Sequence, residues 1–132
     1  MTCREKKRFL NQYLILHKES EYAKIKMIEW AEKAEGLQRI GEIASGGGNG
    51  MQSCIEKMLD YQKKLIAAVK KEMEVIEGIK KAIESVNDIP LRLLLMYRYI
   101  DGQSWQGIAE KMGYGERQIY RLHGKALKLI KL

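Results

Sequence analysis

Apolar residues recur at alternating steps of three and four through the first third of the chain. From Tyr13 they fall at Leu16, Ala23, Met27, Trp30, Ala34 and Leu37, with Ser20 the one polar position. Such a heptad seam marks a helix that buries one stripe against a partner helix. No proline interrupts residues 4–40. Four of the five residues from 46 to 50 are then glycine, and glycine loses the most backbone entropy on becoming helical, so the helix must stop. A second seam follows at Ile55, Met58, Gln62, Leu65, Val69, Glu72, Ile76, Ile79, Ile83 and Val86. At 1.5 Å per residue, each stretch makes a helix of roughly 50 Å. A glycine-rich turn at 41–50 lets the two fold back on one another. The pattern predicts a long antiparallel helical hairpin over residues 1–88, packed like a coiled coil, with Met27, Trp30 and Met58 in its core. Cys3 then lies at the open end and Cys54 near the closed end, too far apart for a disulfide.

The pattern changes at Asn87-Asp88-Ile89-Pro90, where proline suits only a helix's first turn and Asp88 or Asn87 can cap it. This is the expected boundary with a second module, residues 89–132. Its first helix, residues 91–100, is short and very apolar and stops at Asp101-Gly102. Ser104 supplies an N-cap for a helix from Trp105 to Met112. Gly113-Tyr114-Gly115 breaks the chain, and Glu116 opens a last helix reaching about Lys131. Two helices can cross through so short a turn only with certain side chains in place. Ala109 is small where the helices meet, Gly113 permits a left-handed turn, and Ile119 anchors the second helix. Ile108, Met112, Tyr114 and Leu122 complete the small core. The predicted fold is all-α, a hairpin followed by a helix-turn-helix.

Composition supports the helical reading: one proline in 132 residues, a single Phe, 45% apolar and 31% charged side chains. Charge narrows the partner. Lys and Arg number 24 against 17 Asp and Glu, a net charge of +7. Residues 89–132 hold eight basic and three acidic side chains, so most of the excess lies in the second module, as in a nucleic-acid-binding domain. A merely solvated basic face is the plainer alternative.

Other chemistry is poorly served. The glycine segment has no following Lys-Ser/Thr and no preceding strand, so it is not a phosphate loop. Cys3, Cys54, His17 and His123 lack metal-ligand spacing. Glu110, Asp101 and Glu116 form no acid–base pair, and no Ser/His/Asp or Cys/His grouping exists. An enzyme, a metal and a cofactor are not expected. No apolar run approaches the ~18 residues a membrane span needs, and the basic N-terminus does not lead into a signal peptide. The expected setting is cytoplasmic.

Residues 99–122, YIDGQSWQGIAEKMGYGERQIYRL, and the tail His123-Gly124-Lys125-Ala126-Leu127-Lys128 resemble region 4 of sigma-70-type factors. The layout of helical N-terminal part and sigma-like module resembles small phage- and prophage-encoded transcription regulators of the ArpU and RinA kind. The resemblance covers about a third of the chain at motif level. It implies a bacterial host cell, duplex DNA as partner, and entry of the last helix into the major groove. The base-reading positions it implies are Glu116, Arg117, Gln118 and Arg121. Arg117 and Arg121 lie one turn apart on the face opposite Ile119 and Leu122. Arginine reads guanine edges with two hydrogen bonds, glutamine can read adenine and glutamate can accept from cytosine, each good pair contributing ~1–3 kcal/mol of discrimination. Ser104, Tyr120, Lys125 and Lys128 are placed for phosphates. His123 has two readings, a phosphate contact or plain exposure, whereas His17 is expected to be exposed. Gly115 stands where Ser or Thr usually caps, and Gly107 and Gly124 lie inside helices, either for close packing or for close approach to a DNA backbone. The chain lacks room for a full sigma factor's other regions.

The function expected is therefore a sequence-specific DNA-binding transcriptional regulator. One alternative is an adaptor that binds RNA polymerase or another regulator through the sigma-like module. Another is the DNA-recognition subunit of a packaging or recombination complex. A second stripe on the hairpin, Leu14, Ile25 and Ile28 on the first helix with Leu59, Ile66 and Met73 on the second, suggests a homodimer surface; the plainer alternative is that these residues widen the hairpin's own core or pack on the C-terminal module.

Overall fold

The computed structural model describes residues 1–40 and 48–132. They form five α-helices and no strand: α1 (Cys3–Ile40), α2 (Gly48–Glu84), α3 (Ile89–Tyr99), α4 (Trp105–Met112) and α5 (Glu116–Leu129). The protein is all-α. Most of the glycine-rich turn expected at 41–50 lies outside the described residues. Its end, from Gly48, is already helical. Gly50 also lies close to its neighbour: a Cβ there would stand 3.8 Å from the Leu37 side chain.

The chain divides into two compact units, Leu16–Lys71 and Met1–Ile15 with Glu72–Leu132. In the first, the later part of α1 and the early part of α2 run antiparallel, Leu37 beside Gly50 and Trp30 beside Lys57. The α1 stripe is as the periodicity predicts: Ser20, Ala23 and Ala34 are buried, and Leu16, Met27, Trp30 and Leu37 half-buried. The Ser20 hydroxyl donates to the His17 carbonyl at 2.9 Å, so the seam's polar position is satisfied. Lys33 and Lys57 lie over the Trp30 ring, 4.2 and 4.3 Å from its centre, covering its faces with cations.

The α2 stripe corrects the predicted seam. Gln62 and Val69 are exposed, whereas Cys54 and Ala68 are buried and Tyr61 half-buried. Positions 58 and 65 belong to the stripe, but their alternates sit one residue earlier than expected. Cys54, Met58, Tyr61, Leu65, Ala68 and Glu72 keep the alternating steps of four and three, so the buried stripe is the predicted one turned by one residue at every second position.

The second unit redraws the boundary at residue 88. Leu10 of α1 and Ile79, Ala82, Ile83 and Val86 of α2 share one core with Leu91, Leu95, Tyr99, Ala126, Leu127 and Ile130. Cutting at 88 would divide that core. Two further ties cross the same line: the Lys6 ammonium donates to the carbonyls of Leu127 and Ile130 at 2.8 and 3.0 Å, and the Lys131 amide donates to the Ser85 hydroxyl at 3.0 Å. Leu14, expected in an outer stripe, is half-buried beside the turn that follows α3, 3.4 Å from where a Gly102 Cβ would lie. α3 starts two residues earlier than expected, because Asp88 accepts from the Leu91 amide and places Ile89 and Pro90 in the first turn.

Candidate nucleic-acid interface

The frame of the site is a second small core. Leu94 of α3, Ile108 and Ala109 of α4 and Ile119 of α5 are buried together, with Met112, Tyr114 and Leu122 packed against them. The apolar core positions expected from spacing are thus brought together, joined by Leu94, Tyr97 and Trp105, whereas Gly113 is exposed and serves the turn alone. The Ser104 side chain accepts from the Gly107 amide at 3.0 Å and starts α4. Gly113 ends it with φ +73°, a left-handed conformation costly for other residues. The Tyr114 amide donates to the Ala109 carbonyl at 3.0 Å, closing the turn. Gly115 then occupies the N-cap of α5 without a side-chain hydrogen bond.

This frame fixes which face of α5 meets solvent. Ile119, His123, Ala126 and Leu127 point inward. Glu116, Arg117, Gln118, Arg121, Lys125 and Lys128 are exposed, and Tyr120 is 51% exposed. Of these Glu116 alone is acidic. Tyr120 does not stand free, since its ring lies 5.4 Å from that of Trp105. Ser104 is exposed, although its hydroxyl is engaged in the cap.

His123 is corrected: neither of its expected readings holds. It is 6% exposed, and its Nε2 lies 2.6 Å from the Tyr99 hydroxyl. Trp105 meets the imidazole edge-on at 4.6 Å, and the Arg98 guanidinium covers Trp105 at 4.2 Å. Arg98 also donates to the Gln103 carbonyl at 3.0 Å, so the same side chain braces the turn into α4. Burial, with Lys7 and Arg98 adding positive potential, lowers the His123 pKa to about 4. Burial likewise raises Tyr99 to about 12 against the opposing effect of Arg98. Both groups are neutral at physiological pH, and they join α3, α4 and α5 behind the exposed face. The signal for this was present: His123 follows Ile119 by four residues and precedes Leu127 by four, on the apolar stripe.

The glycines divide. A Cβ at Gly107 would come within 3.1 Å of the Ser104 hydroxyl, so this glycine makes room for the cap. Nothing lies within 4 Å of a Cβ at Gly124, so packing does not require glycine there. His17 is partly exposed and lies 3.9 Å from Glu21. Among the described residues no three His, Cys, Asp or Glu side chains could together hold a metal ion, and no helix is long and apolar enough to cross a membrane. No family model matches the chain, and no curated protein or solved structure matches it.

Proposed function

We propose that the protein is a sequence-specific DNA-binding regulator of transcription, and that α4 and α5 are its helix-turn-helix. The observation that carries the reading is the exposed face of α5. Arg117, Gln118 and Arg121 project from a helix whose opposite side is buried on Leu94, Ile108 and Ala109. Rigid backing matters, because side chains discriminate base edges only when their positions are held. Glu116, Arg117, Gln118 and Arg121 read bases in the major groove. Tyr120, Lys125, Lys128 and the start of α4 at Ser104 meet phosphates. The resemblance of residues 89–131 to sigma region 4 supports the same assignment, as does the basic excess of that segment.

A module of this size makes few contacts, so a second copy is part of the reading. Ile66 is 60% exposed and Met73 64% exposed on α2, with Leu59 at 44%. They recur every seven residues, as a helix-pairing stripe does. A second functional reading, an adaptor docking on RNA polymerase or another regulator, draws on Ile89, Leu93 and Met96, which leave an apolar edge of α3 exposed.

Selection of bound fragments from a random duplex library at about 150 mM salt decides between these readings. The intact protein should enrich one short motif, and Arg117→Ala/Arg121→Ala should lose it. Equal, motif-free recovery by both proteins overturns sequence reading by α5. No recovery by either favours the adaptor.

A further inference from the structure

We infer that the first three turns of α1 form a second phosphate-binding edge of the same DNA surface, with Arg4 and Lys7 as its cations. The inference rests on the DNA-binding reading and adds a contact that the α4–α5 pair does not contain.

Four observations place this edge. Lys6 donates to the carbonyls of Leu127 and Ile130, which fixes the start of α1 against the end of α5. Leu10 is fully buried in the core with Tyr99, Ala126 and Leu127. Leu14 lies against Gly102, at the turn that leads into α4. Lys7 adds positive potential at His123, in the middle of α5. The beginning of α1 therefore runs from the end of α5, past its middle, to the entry of α4.

Helical geometry then selects the side chains. Positions 4, 7, 11 and 14 share one face at steps of three and four. Leu14 turns that face toward the α4 entry, so Arg4, Lys7 and Asn11 line the same side, and all three are exposed. Lys6, one position round, is taken up by backbone carbonyls and is not available to a ligand. Glu5 is held at the helix start: the Thr2 amide donates to its carboxylate at 3.1 Å, and its own amide donates to the Thr2 hydroxyl at 3.2 Å. Its charge is thus kept at the helix's N-terminal end, where the dipole favours an anion.

The ligand implied is a phosphodiester backbone beside the recognition helix. Ammonium and guanidinium groups on one short edge suit two phosphates of a single strand and read no base. The edge should therefore strengthen binding on every sequence alike.

The test compares the full-length protein with Arg4→Gln/Lys7→Gln and with Lys80→Gln, titrating the selected duplex and a random duplex at several salt concentrations. Lys80 borders an apolar cavity of about 240 Å³ with Ile83, Glu84, Met96 and Ile100 and serves as the charge control. Arg4 and Lys7 are exposed, and an unchanged thermal midpoint shows that the double variant is folded. Loss of two phosphate contacts should lower the salt slope of the affinity by about 1.8 and weaken binding roughly tenfold, with the preferred motif unchanged. Lys80→Gln should bind as the parent does. A double variant that keeps the parent's slope and affinity on both duplexes, or that changes no more than Lys80→Gln, overturns the inference while leaving the DNA reading intact. If the parent protein binds neither duplex, the DNA reading itself fails and the inference with it.

Discussion

At the scale of single residues, His123 and Gly124 are neighbours with opposite tasks. His123 is buried against Tyr99 and Trp105, and its pKa is lowered to about 4. An unfolded chain takes up that proton near pH 6.5. Between pH 6.5 and about 4 the unfolded state therefore binds more protons, and the stability His123 confers at neutral pH is lost progressively as the pH falls. The expected loss across that interval is on the order of 2 kcal/mol. Urea unfolding at a series of pH values should show it, and Tyr99→Phe/His123→Phe should flatten that segment of the curve. An identical curve for the double variant would contradict it. A Cβ at Gly124 would meet no described atom within 4 Å, so Gly124→Ala should stabilise α5 by about 1 kcal/mol. If a DNA backbone passes close to it, the added methyl should weaken binding even as the thermal midpoint rises. Gly107→Ala should bring no such gain, because its methyl crowds the Ser104 cap.

At the scale of helices, how much could be read from the chain depended on how local the constraint was. The span of α4, its Ser104 cap and the left-handed Gly113 follow from residues within ten positions of one another. So does the buried face of α5, apart from His123, where a titratable side chain disguised an apolar position. The α2 stripe was legible by half. Hydrophobicity favours Val69 over Ala68 and Ile55 over Cys54, so a stripe chosen by apolar character alone lands one residue away from the buried one. The domain boundary was the least legible feature, because Leu10 and Lys6 meet α5 more than a hundred residues away, and no local pattern encodes that meeting. The Lys6 tie is testable alone. It supplies donors to the last carbonyls of α5, which have no partner within the helix. Lys6→Met keeps the aliphatic stem and should cost roughly 1–3 kcal/mol. Amide hydrogen exchange should quicken at residues 127–131 first. Unchanged exchange there would show that solvent replaces the ammonium without loss.

At the scale of the whole molecule, the correction to the α2 stripe bears on assembly. Periodicity alone places Ile55, Gln62 and Val69 on the inner seam. Val69 is instead 38% exposed, and with Leu59, Ile66 and Met73 it extends an outer seam at alternating steps of four and three. Positions 55, 59, 62, 66, 69 and 73 repeat the spacing of the buried stripe, displaced round the same helix. A helix with two such seams can pair with a second helix as well as its first. Two copies joined through α2 would present two recognition helices, and affinity would rise because the second contact becomes intramolecular. Sedimentation velocity should therefore show mass increasing with protein concentration, and Ile66→Lys, which places a charge at the centre of the outer seam, should remain monomeric without loss of helicity. The same variant should bind a single half-site as the parent does and lose its advantage on a duplex carrying two. A parent protein that is monomeric throughout would remove the dimer, and its affinity would then have to come from one module, with the Arg4–Lys7 edge of α1 supplying the added grip on the backbone.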